Sequence, residues 1–512
     1  MQIPLPAPGA APVKHKHFPT AHQAFIFRAS EFVSFEKMAK ILGTDVENVT
    51  ECAAQMGITR AEDSRIWLEK GYVSIIRAMW HLLPYDQLIE LLETDEATLA
   101  MTLREEDFLD IKLSNKPVCE RVRWRELTPE EELQTKALKE AMRGIDENGV
   151  RPFDFRFVMP EITFSGKQLF DTRMIYLFSG LYQTPFDVDS ESYCSDEMLE
   201  SYRRLGINGI WTQAILFRVT RFPFAPQMSE GWEKRLENMK KFSDRLNKFG
   251  IKLYLYLNEP RSMPHEFFEK YPGLRGAVHR ETKVSLCTST PEVQNFLKDA
   301  VETVCRAVPE LGGLFTITRS ENQTNCYSHA PDGECGCPRC SKRPLADVIA
   351  EVHACIREGA DRVDKNIKVF AWSWAWSRYN LDIIKRLPER VIVISQSERD
   401  VPFEIGGVKG HVEDYSMGQI GPGERAVSEW DEAKACGLET GAKVQVNTTW
   451  EGSTVPALPL APLIEEHIGK IRAQGVRHLL LSWTLGGYPS ENLMHAAKFF
   501  CENVTIPEES PE

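Results

Sequence analysis

Apolar residues recur at helical spacing in the first hundred positions, and they do so twice. The stretch from Ser34 to Asp45 (SFEKMAKILGTD) aligns at an offset of 50 with Pro84 to Asp95 (PYDQLIELLETD). Phe35, Met38, Ile41 and Leu42 in one copy, and Tyr85, Leu88, Leu91 and Leu92 in the other, share one face of a 3.6-residue helix. Thr44 or Asp45, and Thr94 or Asp95, can accept the unpaired backbone N–H groups that open a following helix. Each copy therefore reads as a helix-turn-helix unit. Residues 128–143 read as a further, solvated amphipathic helix, and 146–152 as a linker.

From Met174 the period changes. Short, nearly continuous apolar runs rich in β-branched and aromatic residues occupy 174–178, 209–213, 252–257, 313–318, 368–374, 390–395, 443–447 and 478–483. Between them lie helical patterns at 232–249, 291–308, 344–363, 430–436, 461–473 and 491–502, with glycines such as Gly250 and Gly475 where helices should stop. Strands buried on both faces read as unbroken apolar runs, and their alternation with helices is the mark of parallel βα units. Eight such units predict an α/β fold, a (β/α)8 TIM barrel, preceded by a helical domain. The expected domains are a Pro-rich arm at 1–21, helix-turn-helix repeats and linker at 22–150, and a catalytic barrel at 151–512.

Composition changes this picture little, but charge does. Of 512 residues, 42% are hydrophobic and 26% charged, which excludes a disordered or membrane-embedded chain. The formal charge is −13, and the second repeat carries Glu90, Glu93, Asp95, Glu96, Glu105, Glu106 and Asp107. DNA phosphates would be repelled, so the repeats are expected to pack on the barrel or on a second subunit of a homo-oligomer, with no nucleic-acid or membrane partner. The first residues, MQIPLPAPGAAPVKHKHFPTAHQ, lack the apolar segment of a signal peptide, and the expectation is a cytoplasmic protein.

A barrel of this kind places its active site at the C-terminal ends of its strands. Strand three runs into Asn258, Glu259 and Arg261, strand four into Ser320, Glu321 and Asn322, strand six into Glu398, and strand seven into Trp450 and Glu451. Trp372 and Trp374 on strand five and Trp483 on strand eight add aromatic surface. A sugar ring needs an apolar face to lie on and carboxyl groups to cleave its acetal. Glu321 and Glu451 are therefore the candidate catalytic residues. Glu259, Arg261, Asn322, Trp372, Trp374, Glu398, Trp450 and Trp483 are candidates for substrate binding.

A family resemblance rests on three motifs: Leu314-Phe-Thr-Ile-Thr-Arg-Ser-Glu-Asn322, Val369-Phe-Ala-Trp-Ser-Trp374 and Leu481-Ser-Trp-Thr-Leu-Gly-Gly487. Over residues 170–500 they resemble the barrel of hexosaminidase-type, family 20-like glycoside hydrolases. That resemblance implies a glycosidase, β-N-acetylhexosaminidase-like, acting on a small or terminal glycan with Glu321 as acid/base. Ser320 stands where those enzymes carry an aspartate. In retaining barrel glycosidases the seventh strand ends in a nucleophilic glutamate, a position matched by Glu451. A retaining pair would hold its carboxyl groups about 5–5.5 Å apart. The alternative is a non-catalytic carbohydrate-binding or regulatory protein.

Twelve cysteines are too few for a disulfide scaffold, but several cluster after strand four. Cys326, Cys337 and Cys340 have the spacing of a structural zinc site, with Cys335 or His329 as fourth ligand. Zinc is the one cofactor expected, with no organic group.

Overall fold

A computed structural model describes residues 4–9, 11–61, 65–105, 109–141, 158–180, 185–279, 283–320, 322–330, 333–448, 458 and 460–507. The chain divides into two compact units, Met1–Asp154 and Phe155–Glu512. Among the described residues no helix is long and apolar enough to cross a membrane.

The first unit is helical, and its repeat is longer than the sequence alone reveals. Helices Ala21–Ala29, Phe35–Leu42 and Val46–Gln55 recur about 50 residues on as Tyr72–Met79, Tyr85–Leu92 and Glu96–Glu105. The turns between the second and third helices match too, with Gly43 and Glu93 both in the left-handed conformation. Asp95 accepts from the backbone N–H of Thr98 at 2.8 Å, as an N-cap should, while Asp45 makes no such bond. Met38, Ile41, Leu88 and Leu91 are buried in one core shared by both copies. The buried amide of Gln87 bonds Ile41 O at 3.1 Å and Val122 O at 2.7 Å, tying the second copy to the first. The helix expected to be solvated, Pro129–Ala141, buries Thr135 against Gln23 at 2.7 Å. The Pro-rich arm is tied to this unit as well: Pro6 O accepts from Tyr85 Oη, and Gly9 N–H donates to Lys116 O.

The second unit is a closed barrel of eight parallel strands: β1 Thr172–Tyr176, β2 Gly209–Ala214, β3 Lys252–Leu257, β4 Leu311–Thr316, β5 Lys368–Trp372, β6 Val391–Gln396, β7 Thr440–Val444 and β8 His478–Leu481. All eight runs read from the sequence form these strands, within a few residues. The pairing register Tyr176–Trp211–Tyr254, with Gln213–Tyr256–Phe315–Phe370 and Gln396–Lys443–Leu480, puts these side chains on one common face. That face is the barrel interior, filled by Met174, Trp211, Tyr254, Phe315, Phe370, Trp372 and Leu480. The opposite face packs under helices such as Trp232–Lys248, Pro291–Ala307, Leu345–Asp361, Glu424–Ala435 and Ala461–Ala473.

Among the described residues three antiparallel ribbons decorate the barrel. Two are hairpins: Arg275–His279 with Lys283–Leu286 after β3, and Pro402–Ile405 with Val408–His411 after β6. The latter turns through Gly406 and Gly407, at φ 57° and 80°, a two-residue turn that side chains would strain. In the third, Thr163–Gln168 pairs with Cys501–Thr505. The sequence reading extended the last helix to 502, but it stops at Ala497, and the β-branched Val504 and Thr505 complete the ribbon instead.

Candidate functional site

The C-terminal end of the barrel is floored by aromatic rings. Trp483 packs on Trp211 at 4.8 Å, on Trp372 at 5.1 Å and on Tyr256 at 5.5 Å between centroids. Trp372 is wholly buried, a core residue of the barrel interior and not the rim residue that the sequence suggested, because the inward position that would present it is capped by Trp483. Trp374, two residues on, is half-buried, and its Nε1 donates to Asp414 at 2.7 Å. The same carboxylate oxygen accepts from Gln396 Nε2 at 3.1 Å. Asp414 and Tyr415 follow the hairpin after β6, and they bring that loop to the barrel end.

Several polar atoms here are enclosed without a hydrogen-bond partner among the described residues: the indole Nε1 atoms of Trp211 and Trp372, Asn258 Oδ1 and Gln396 Oε1. The register puts Trp211 and Gln396 on the inward face, and alternation along β3 continues that face to Asn258. An unpaired buried polar group costs about 1–3 kcal/mol, so these four atoms at one end of the barrel call for hydrogen-bonding partners beyond the described side chains. Lys443, also inward and fully buried, donates to Gln445 Oε1 at 2.7 Å and lies 3.5 Å over the ring of Tyr415.

Two of the four strand-end carboxylates are not open to the mouth. Glu259 is completely enclosed and accepts from the backbone N–H groups of Leu216, at 2.8 Å, and Arg261, at 3.2 Å. Burial pushes its pKa up to about 7, against the opposing pull of Arg261 and the two backbone donors. Glu398 is equally buried and accepts from the backbone N–H of Gln445 on the β7 side. Both were expected to meet a substrate directly, and both instead hold neighbouring loop backbone, since a buried carboxylate must find donors wherever the chain supplies them. Glu321, Trp450 and Glu451 lie outside the described residues.

On the β4 side, Asn322 N–H donates to Ser320 Oγ at 3.2 Å. Arg319 is nearly buried, with Nη2 on Ala330 O at 3.1 Å, its guanidinium 5.8 Å over the Tyr379 ring and its pKa lowered by burial. Arg261 is half-buried beside Glu259. Asn447 is committed: its Nδ2 donates to Gly486 O and Tyr488 O, each at 3.0 Å, which leaves it no donor for a neighbouring glutamate.

The cysteines resolve differently from their spacing. The sulfurs of Cys287, Cys326, Cys337 and Cys340 all lie within 4.8 Å of one another, and all four residues are buried. Cys335 is only half-buried and outside this group, and His329 is turned away, its Nε2 2.7 Å from Ser320 O. The fourth member is thus neither of the two expected. Cys287 is contributed from the far side of the helix Pro291–Ala307, 50 residues before Cys337, and no local spacing could have exposed it. Gln213, Gln396, Asp414, Lys443 and Gln445 were missed as well. For Gln396 and Lys443 the signal was there, a polar residue inside an apolar run on the inward phase.

No protein-family model matches the chain, and no curated protein matches its sequence. Among solved structures it is similar to a family 89 glycoside hydrolase from Clostridium perfringens in complex with PUGNAc, at 12% identity and a TM-score of 0.42, over 65% of this chain and 38% of that one. It is also similar to a β-N-acetylhexosaminidase from Bacteroides fragilis, at 15% identity and a TM-score of 0.39, over 66% of this chain and 67% of that one. A third is a β-glycosidase, at 11% identity and a TM-score of 0.39, with 68% of this chain and 99% of that one aligned. The chain therefore spans about two fifths of the family 89 enzyme's length.

Proposed function

We propose that the barrel unit hydrolyses a glycosidic bond of a small or terminal glycan. The observation that carries this reading is the set of enclosed, unpartnered polar atoms (Trp211 Nε1, Trp372 Nε1, Asn258 Oδ1, Gln396 Oε1) beside the edge-to-face rings of Trp372 and Trp483. Alternating donors and acceptors next to an aromatic wall suit a polyhydroxylated ring better than an apolar or an ionic ligand. Trp374, steadied by Asp414, offers a further indole face at the rim.

In this reading Glu321, one residue past Ser320 on the loop that follows β4, protonates the glycosidic oxygen as the aglycone leaves. Glu451, beyond β7, attacks the anomeric carbon, and a water deprotonated by Glu321 then releases the sugar. A substrate with an acetamido group would supply that nucleophile from its own oxygen, with Glu451 spared. Asn322 and Arg261 flank the cleaved bond, and the aromatic floor excludes water from behind it. Glu259 and Glu398 act as positioning residues through the backbone they hold.

The test is turnover of a panel of aryl glycosides by the full chain and by Glu321→Gln. Hydrolysis reduced at least 100-fold by that substitution supports the reading, in line with the loss of a general acid. Saturable sugar binding with no turnover in the unaltered chain would instead identify a non-catalytic carbohydrate-binding barrel.

A further inference from the structure

Two excursions leave the C-terminal ends of neighbouring barrel strands and meet. One follows β3 and includes the hairpin Arg275–His279 with Lys283–Leu286, ending at Cys287. The other follows β4 and carries Cys326 and then the knuckle Cys337-Pro-Arg-Cys340. Cys287 Sγ lies 3.7 Å from Cys337 Sγ and 3.6 Å from Cys340 Sγ. Those separations are too long for a disulfide, whose sulfurs sit about 2.05 Å apart, and every cysteine is free. They match a tetrahedron: ligands about 2.3 Å from a central Zn2+ lie roughly 3.8 Å from each other. An iron–sulfide cube, with each thiolate outside its own corner, would spread the sulfurs much further.

The surroundings fit a thiolate cage. Four thiolates around a divalent ion leave two excess negative charges, which need donors in a buried site. Arg339 Nε donates to Cys287 Sγ at 3.3 Å, while its Nη2 is pinned to Arg275 O at 2.6 Å. Ser289 Oγ stands 3.2 Å from Cys340 Sγ and itself accepts from Arg343 Nη1 at 2.6 Å. Gly276 leaves room for sulfur: a Cβ there would be 2.7 Å from Cys326 Sγ. Tyr327 Oη, donating toward Cys340 O and Arg343 O at 2.9 Å, closes the knuckle onto the Cys326 side.

We propose that Cys287, Cys326, Cys337 and Cys340 bind one Zn2+ that staples the excursion after β3 to the loop after β4. All four positions are filled by protein, so the ion has no open coordination site and its role is structural. It fixes Cys326 six residues beyond Ser320, which shortens the free span of the loop bearing Ser320 and Asn322. Each metal–thiolate bond replaces a thiol proton, so binding releases protons to solvent.

The experiment is elemental analysis of the full chain purified with reductant and without chelator or added metal. One zinc per chain is expected, kept by Cys335→Ser and lost by Cys287→Ser. Should Cys287→Ser be insoluble, the unaltered protein decides. In denaturant with a thiol reagent it should release one equivalent of zinc to a chromogenic chelator. Its Co2+-substituted form should develop strong thiolate-to-cobalt charge transfer and tetrahedral d–d bands. With zinc removed, amide exchange should accelerate at 284–290 and 326–343 together and stay unchanged in 21–105. Absence of zinc, iron in its place, or loss of zinc from Cys335→Ser would each overturn the proposal.

Discussion

Glu259 has a pKa near 7, within the range where enzymes work, although it holds backbone and touches no open space. In the unfolded chain its carboxyl titrates near about 4.3. The folded pKa is the higher one, so the protonated form carries the stability. That contribution is complete below about 4.3 and is lost as pH rises through about 7. The full swing is on the order of 3 kcal/mol. Glu259→Gln stays neutral throughout, so its unfolding free energy relative to the unaltered chain should climb from pH 5 to pH 8 and level off above. At pH 5 it should be the less stable by about 1–2 kcal/mol, because one amide oxygen cannot serve both Leu216 and Arg261. Urea titrations at four pH values check this, and a difference that does not change with pH would refute it. The sequence exposed Glu259 as a strand-end acid. That Leu216, on a different loop, would claim it is a tertiary fact that no window on the sequence contains.

At the scale of elements, what was legible followed burial on both faces. Most positions of the eight barrel strands are apolar because the interior lies on one side and helices on the other, and so they read as nearly continuous runs. The short ribbons were invisible for the opposite reason. Thr163–Gln168 is mostly exposed, with no pattern to separate it from a loop. The hairpin Arg275–His279 with Lys283–Leu286 was missed likewise, and with it the origin of Cys287. Its Gly276 is the sensitive point. A methyl group there would sit 2.7 Å from both Cys326 Sγ and Ser285 O, and the latter is backbone that cannot swing aside. Gly276→Ala should cost about 1–3 kcal/mol in denaturant unfolding. If zinc binds as proposed, the variant should also give up its metal to a chelator faster. An unchanged midpoint would mean that the hairpin yields more easily than its contacts imply.

Across the described residues there are three separate apolar clusters, one in the first unit built from Phe25, Met38, Ile76 and Leu88, one wrapped around the barrel and one filling its interior. The sequence announced the division between the first and the other two through its change of period near residue 170, whereas the partner strand for Thr163–Gln168 lay too far away to be seen. Closure of the barrel depends on the same distance. Arg477 bonds Asp171, and His478 bonds Thr172, across 306 residues, and Glu502 accepts from Lys167 N–H across 335. Synthesis runs from one end only, so the first seven strands leave the ribosome before anything can join β7 to β1. A nascent chain that has emerged as far as residue 470 therefore carries an open sheet with two bare edges, the kind of surface chaperones hold. Chains arrested on the ribosome at that length should be cut by protease within the barrel strands. Chains extended past residue 507 by a linker should resist, since only then can β8 and the final ribbon close the ring. Equal resistance at both lengths would mean that seven strands suffice. Otherwise residues 478–505 decide when the molecule stops being a client of the folding machinery.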